Sequence, residues 1–176
     1  GVRSKVDEMR VEVVVQEWRL SEVLVAMKEA HPYEEVAHSI WTLTNTSGSV
    51  GSGMIGNLPA PMPEETFLDL LKKNLGCDAV RHTDLLGKPI GKVAVCGGSG
   101  SFLLPDAIRC GADIFVTSDF KYHEFFGAEG RLLIADVGHY ESEWQTTHLI
   151  VSRLNNKFTN FAVHLAEANP NPIHYR

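Results

Sequence analysis

The sequence predicts an α/β protein in two parts. Residues 1–84 form an α+β domain with a ferredoxin-like βαββαβ pattern. Residues 85–176 form an α/β core with a mostly parallel sheet flanked by helices. Three observations carry this. Short β-rich runs and two apolar helical stripes follow one another as β-α-β-β-α-β in the first part. Strand-like runs alternate with helices in the second. Each polar cluster of the second part begins where a strand-like run stops.

In the first part Val11 to Val15 is a β-rich run. Ser21 offers an N-cap to a helix over Glu22 to Ala30, where Val23, Leu24, Met27 and Ala30 keep helical spacing. His31-Pro32 ends that helix, because a residue before proline is pushed out of the α region. Val36 to Leu43 is strand-like, the Asn45 to Ser49 cluster is a turn, and Val50 to Leu58 is a further strand weakened by glycine. The prolines from Pro59 to Pro63 make a rigid connector, and Pro63 suits a helix start. Phe67, Leu68, Leu71 and Leu75 form an apolar stripe closed by Gly76, and Ala79 to His82 is a short last strand.

In the second part Ile90 to Cys96 is a strand running into Gly97-Gly-Ser-Gly-Ser101, followed by a helix over Phe102 to Cys110. Ala112 to Thr117 is the next strand, then a helix from about Lys121 to Ala128. Leu132 to Asp136 is the third strand, with a helix from about His139 to Leu154. Phe158 to Leu165 alternates enough to be a fourth strand, and the tail from Glu167 to His174 is broken by proline.

The totals limit the function classes. With 44% hydrophobic and 22% charged residues, the 176-residue chain can build an ordinary globular core. Residues 1–84 carry 8 basic and 13 acidic side chains, hence −5, and residues 85–176 carry 8 and 9, hence −1. Neither part is basic, which argues against binding a nucleic-acid backbone. Cys77, Cys96 and Cys110 lack paired spacing and read as reduced thiols of a cytoplasmic protein. No run of 18 apolar residues suggests a membrane span.

Four motifs invite a chemical reading. Gly51-Ser-Gly-Met-Ile-Gly56 fits a dinucleotide fingerprint by letters, but no amphipathic helix follows directly, so bent-strand glycines are expected. His31-Pro-Tyr-Glu-Glu35 is either helix-stop chemistry with a charged loop or a pocket or subunit-contact loop. Gly97, Gly98, Ser99 and Gly100 lie between a strand and a helix start, where backbone N–H groups accept a phosphate; tight packing is the other explanation for such glycines. No Lys-Ser/Thr follows them, so this is not a P-loop. Finally, Asp119 with His123, and His139 with Glu143, each stand four residues apart. On a helix, such pairs share one face and can bind a divalent cation or share a proton; the helix dipole alone also favours acids there. In a parallel sheet, ligands sit beyond the carboxyl ends of the strands, and all three polar clusters of the second part lie there.

His31-Pro-Tyr-Glu-Glu-Val-Ala37, Val95-Cys-Gly-Gly-Ser-Gly100, Gly111 to Asp119 with His123, and Asp136-Val-Gly-His-Tyr-Glu-Ser-Glu143 occur in this order. Together they resemble the NIF-three-like, dinuclear-metal-centre family, known as GTP cyclohydrolase I type 2 homologues. The resemblance implies that residues 1–84 are a PII/CutA-like inserted domain and residues 85–176 the carboxy-terminal half of the core. It implies His139 and Glu143 as ligands of a divalent metal (Zn, Mn or Fe, two ions per site in the intact protein), with Asp119 and His123 lining the same cavity. The family's Thr-Gly-Asp stands here as Thr117-Ser118-Asp119. Its paired histidines and a further aspartate belong to the first core half, and this sequence has no His-His pair. A carboxy-terminal piece of a longer protein, holding metal weakly or not at all by itself, is therefore expected. The resemblance further implies a homo-oligomer (a hexamer) and a small phosphorylated or nucleotide ligand. Two readings of function follow: a metal-dependent hydrolase or GTP cyclohydrolase-like enzyme when full length, with Asp119 or His123 moving protons, or a non-catalytic metal-binding module whose PII-like domain senses a small molecule or mediates oligomer contacts.

Overall fold

The computed structural model describes residues 5, 7–44, 50–168 and 171–176. The expected turn at Asn45 to Ser49 lies outside them. The chain divides into two compact units, residues 1–46 and 47–176.

In the first unit a 3-10 turn at Glu17–Arg19 leads into helix α1, Leu20–Ala30. The helix stops at His31, whose extended backbone before Pro32 is the expected one. The strands expected at Val11–Val15 and Val36–Leu43 are absent from the described residues. Val11, Val13 and Val14 are 69–85% exposed. A β-rich run supplies propensity, but a strand needs a ladder partner for its N–H and C=O groups, and these runs have none.

The second unit is built on a mixed five-stranded sheet in the order β1-β3-β4-β5-β2. Its strands are β1 Met54–Met62, β2 Arg81–His82, β3 Ile90–Ser99, β4 Ile114–Ser118 and β5 Leu133–Asp136. The central three run parallel, while β1 pairs antiparallel with β3 and β2 antiparallel with β5. The segments assigned from sequence to the end of the first domain thus include both edge strands of this sheet. Pro59 and Pro61 fall within β1, which is possible because an edge strand need not donate along its whole length; the pairing slips between Asn57 and Met62. No helix follows Gly56 directly, in keeping with bent-strand glycines.

Helix α2, Glu64–Leu75, starts after Pro63 and stops at Gly76, as its sequence requires. Its Phe67 and Leu68 pack with Ile90, Ile114, Val116, Leu133, Ala135 and Val137 on one face of the sheet, with Leu71 and Leu75 alongside. The opposite face carries Ala94, Cys96, Phe115 and Ile134 against Leu104 and Ala107 of helix α3, Leu104–Arg109, and against Phe120 and Ala128. Residues 122–128 form a 3-10 helix rather than the expected α-helix. The helix expected from His139 appears as α4, His139–Glu143, and α5, Gln145–Lys157, interrupted at Trp144. The Trp144 indole N–H donates to the Leu75 carbonyl at 3.0 Å, occupying one of the carbonyls that the end of α2 leaves without a helical partner. The expected fourth strand at Phe158–Leu165 does not form, because both places beside the central strands are taken by β1 and β2.

The Ser118 hydroxyl is buried and has no hydrogen-bond partner among the described residues. An unsatisfied buried hydroxyl retains its desolvation cost, so Ser118→Ala is expected to leave stability unchanged or raise it by about 1 kcal/mol in thermal or urea unfolding. A loss of stability would show that the hydroxyl has a partner.

Candidate functional site

The site is assembled where the three parallel strands end. β3 passes from Val95 to Ser99 while its neighbour β4 passes only from Val116 to Ser118, so the glycine stretch bulges out of the ladder. β4 ends at Ser118, and Asp119 takes a left-handed backbone with φ 59°. β5 ends at Asp136, and after Val137 and Gly138 the chain turns directly into α4.

These three ends converge on one imidazole. The His139 ring lies between two carboxylates: Nδ1 is 2.5 Å from Asp119 Oδ2, and Nε2 is 3.3 Å from Glu143 Oε2. An ionised carboxylate only accepts, so Nδ1 carries the hydrogen toward Asp119. The four-residue spacing of His139 and Glu143 therefore does what a helix face allows. The Asp119 hydrogen bond, helped by the charges of Asp119 and Glu143, holds the His139 pKa above its ordinary 6.5. All three side chains are about half exposed, so solvent screens them.

The glycine stretch frames this group. The Gly98 N–H donates to Ser142 Oγ at 2.9 Å, and Ser142 Oγ donates to the His139 carbonyl at 2.8 Å. A Cβ on Gly98 would stand 2.5 Å from Glu143 Oε1, and φ there is +65°. Gly97 lies against Ser142 and Glu143, and Gly100 lies against Thr117 and Cys96. Close approach to α4 and to β4 thus accounts for Gly97, Gly98 and Gly100. Ser99 belongs to the end of β3 and pairs with Ser118. Ser101 donates to the Glu124 carboxylate at 3.1 Å, which puts a negative charge beside the turn offered from sequence as a phosphate cradle.

His123 is placed differently from its sequence expectation. Asp119 precedes the 3-10 helix instead of lying on it, so the four-residue spacing does not bring the two together. His123 is exposed and makes no hydrogen bond among the described residues. His31 stands in the first unit, where Nδ1 accepts the Tyr33 N–H at 3.1 Å. Residues that spacing did not single out are Ser142, Glu141 and Arg81. Glu141 is buried and accepts from Asn171 Nδ2 at 3.0 Å. Arg81 pairs with buried Asp136 from 55 positions away in the chain, and no local pattern signals it.

The donor set suits a divalent cation in part. Among the described residues no group of three or more His, Cys, Asp or Glu side chains is arranged to hold a metal ion. The reason is the place of the ring: Asp119 and Glu143 meet opposite nitrogens and do not face a common point. His139 Nε2 and Glu143 Oε2 do share a side. Two donors each about 2.1 Å from one ion stand roughly 3.0–3.4 Å apart, which the observed 3.3 Å matches. Asp119 on Nδ1 is the outer partner a metal-bound imidazole requires.

Two outcomes test this geometry. In metal-free protein, the His139 ring followed by NMR is expected to titrate above 6.5, and Asp119→Asn to bring it down. Because the folded value is raised, the stability His139 contributes is fully present below its unfolded pKa and is lost as pH rises through the folded value. Gly98→Ala is expected to cost about 1–2 kcal/mol from its left-handed backbone and to push Glu143 aside, seen as a changed His139 midpoint.

The comparisons with known proteins agree with this architecture. Residues 9–172 match the model of the Duf34/NIF3 (NGG1p interacting factor 3) family. A Halalkalibacterium halodurans protein named "GTP cyclohydrolase 1 type 2 homolog" is 38% identical over 141 residues, covering 79% of this chain and 38% of that protein. The solved Bacillus cereus protein related to NIF3 superposes with a TM-score of 0.69 at 30% identity, covering 92% of this chain and 46% of that one. Staphylococcus aureus protein SA1388 gives 0.72 at 26% identity, with 94% and 55% covered. This chain spans less than half the length of the curated relative, and among its described residues no helix is long and apolar enough to cross a membrane. A family match running through both units, together with a shared fold at the sheet that carries the site, places the chain in the Duf34/NIF3 family.

Proposed function

We propose that this chain supplies His139 and Glu143 as two ligands of a divalent-metal centre in a metal-dependent hydrolase or GTP cyclohydrolase-like protein. One observation carries the reading. With Nδ1–H committed to Asp119, the neutral ring turns its Nε2 lone pair toward the Glu143 carboxylate at 3.3 Å. Two electron-rich atoms at that distance repel unless positive charge lies between them, and either a proton or a cation supplies it. The raised pKa of His139 expresses the same demand. The name of the Halalkalibacterium relative supports the cyclohydrolase side of the proposal.

A divalent cation held by His139 and Glu143 would supply Lewis-acid chemistry, making water more acidic and polarising a phosphoryl or carbonyl oxygen. The residues of this chain bind and orient. His139 and Glu143 offer one nitrogen and one oxygen from a single helical turn. Asp119 fixes the ring tautomer and remains hydrogen-bonded, which suits it to orientation more than to proton transfer. His123, exposed on the 3-10 helix that follows Asp119, is the group offered for moving a proton. Two ligands fall short of the four that a closed zinc site uses, so further donors come from elsewhere in the intact assembly, of which a homo-oligomer is the proposed form.

A second reading, a binding module without turnover, is favoured by the half-exposed position of the three side chains, which excludes little water. Elemental analysis separates these readings on a longer protein that includes this chain. His139→Ala and Glu143→Ala are each expected to lower bound metal at least tenfold, and unchanged content in both would remove the ligand assignment. Metal retained without hydrolysis of any phosphoester or nucleotide would favour the binding module. Residues 1–176 alone are expected to hold metal weakly in calorimetric titration.

A further inference from the structure

A third carboxylate stands next to the two that flank the imidazole in the chain's corner segments. Asp136 ends β5 and is buried, its side chain only 3% exposed. Its Oδ2 accepts the Phe120 N–H at 3.0 Å and takes the Arg81 guanidinium, while Oδ1 accepts the Gly138 N–H at 3.2 Å. Phe120 follows Asp119 in the chain, and Gly138 precedes His139. One side chain therefore holds both backbone corners that present the Asp119–His139 contact.

Arg81 closes the arrangement from the far edge of the sheet. Its Nη2 that meets Asp136 also donates to the Phe120 carbonyl at 3.0 Å, and its guanidinium lies 5.4 Å from the Phe125 ring centre. Strand β2 is only two residues long, and Arg81 is one of them, opposite Asp136 in the ladder. Such a short strand adds little ladder of its own; it delivers this guanidinium to a carboxylate that would otherwise be buried with unbalanced charge.

We propose that Asp136 and Arg81 are positioning residues that hold the Asp119 and His139 corners in register, and so set which nitrogen of His139 carries its hydrogen. The proposal rests on Asp119, His139 and Glu143 being the functional site, and it adds the device that builds it. Asp136 acts through the backbone, since its oxygens reach main-chain N–H groups and Arg81 but neither imidazole nitrogen. With the corners fixed, Asp119 meets Nδ1 and Nε2 stays directed to Glu143. With either corner released, the ring is free to take the Nε2–H form that histidine prefers in solution.

The measurement is the ring tautomer of His139, from nitrogen chemical shifts of histidine-labelled, metal-free protein at a pH where the ring is neutral. The wild-type ring is expected to be mostly Nδ1–H. Asp136→Asn and Arg81→Ala are expected to shift it to mostly Nε2–H, and Arg81→Lys, which restores the charge, to recover part of the wild-type ratio. Arg109→Ala, which removes an exposed ion pair with Asp106 on α3, is expected to leave the ratio unchanged. Arg81 is 59% exposed, so water can reach Asp136 where its side chain is removed, and circular dichroism of each variant establishes that it is folded before its ratio is read. A wild-type ratio in folded Arg81→Ala and in folded Asp136→Asn overturns the proposal, as does a ratio insensitive to Asp119→Asn. Because no metal is present, a failed ligand assignment for His139 and Glu143 leaves this result standing.

Discussion

The parallel register of β3, β4 and β5 is the constraint on which the rest depends. Val95, Val116 and Ala135 stand side by side, so the three strands reach their carboxyl ends within a few residues of one another. Apolar packing on both faces fixes that alignment, because a slip of one residue would exchange the Phe115 face for the Val116 face. Given the register, the bulge of β3, the left-handed corner at Asp119 and the start of α4 must meet. The site is a consequence of strand ends aligned by a dry core.

At those ends the chain gathers negative charge and supplies little positive charge of its own. Asp119 and Glu143 flank one imidazole, and Asp136 lies just beneath with Arg81 as its counter-ion. The buried carboxylate is paired while the two half-exposed ones share a single ring, a division that follows from solvation. A carboxylate inside needs a permanent partner, whereas one at the surface can wait for a proton or a cation. The glycine stretch permits the approach: without a side chain at Gly98, Glu143 can lie against β3.

The two outer strands, expected from sequence at Val50 to Leu58 and Ala79 to His82, show how a sheet sustains runs of weak propensity. Residues 54–62 and 81–82 have weak strand credentials, with prolines in one and two residues in the other, yet both are strands because the central sheet offers ladder partners. Val11–Val15, Val36–Leu43 and Phe158–Leu165 have better credentials and pair with nothing among the described residues. The same logic separates His139–Glu143, which spacing on a real helix brings together, from Asp119–His123, whose equal spacing fails because the chain between them turns a corner and then winds as a 3-10 helix.

By itself the sequence determined the alternating β/α core, the stripe and stops of α2, the family, and the one-turn spacing that brings His139 beside Glu143. These are encoded in contiguous residues, by hydrophobic period, by glycine and proline at turns, and by donors one helical turn apart. Only the tertiary structure decided that residues 54–62 and 81–82 form the two edges of one sheet, that Asp119 meets His139 across 20 positions, and that Arg81 reaches Asp136 across 55. Those contacts depend on which strands lie side by side. No local period carries that information, because strand order is chosen by the burial of the whole sheet.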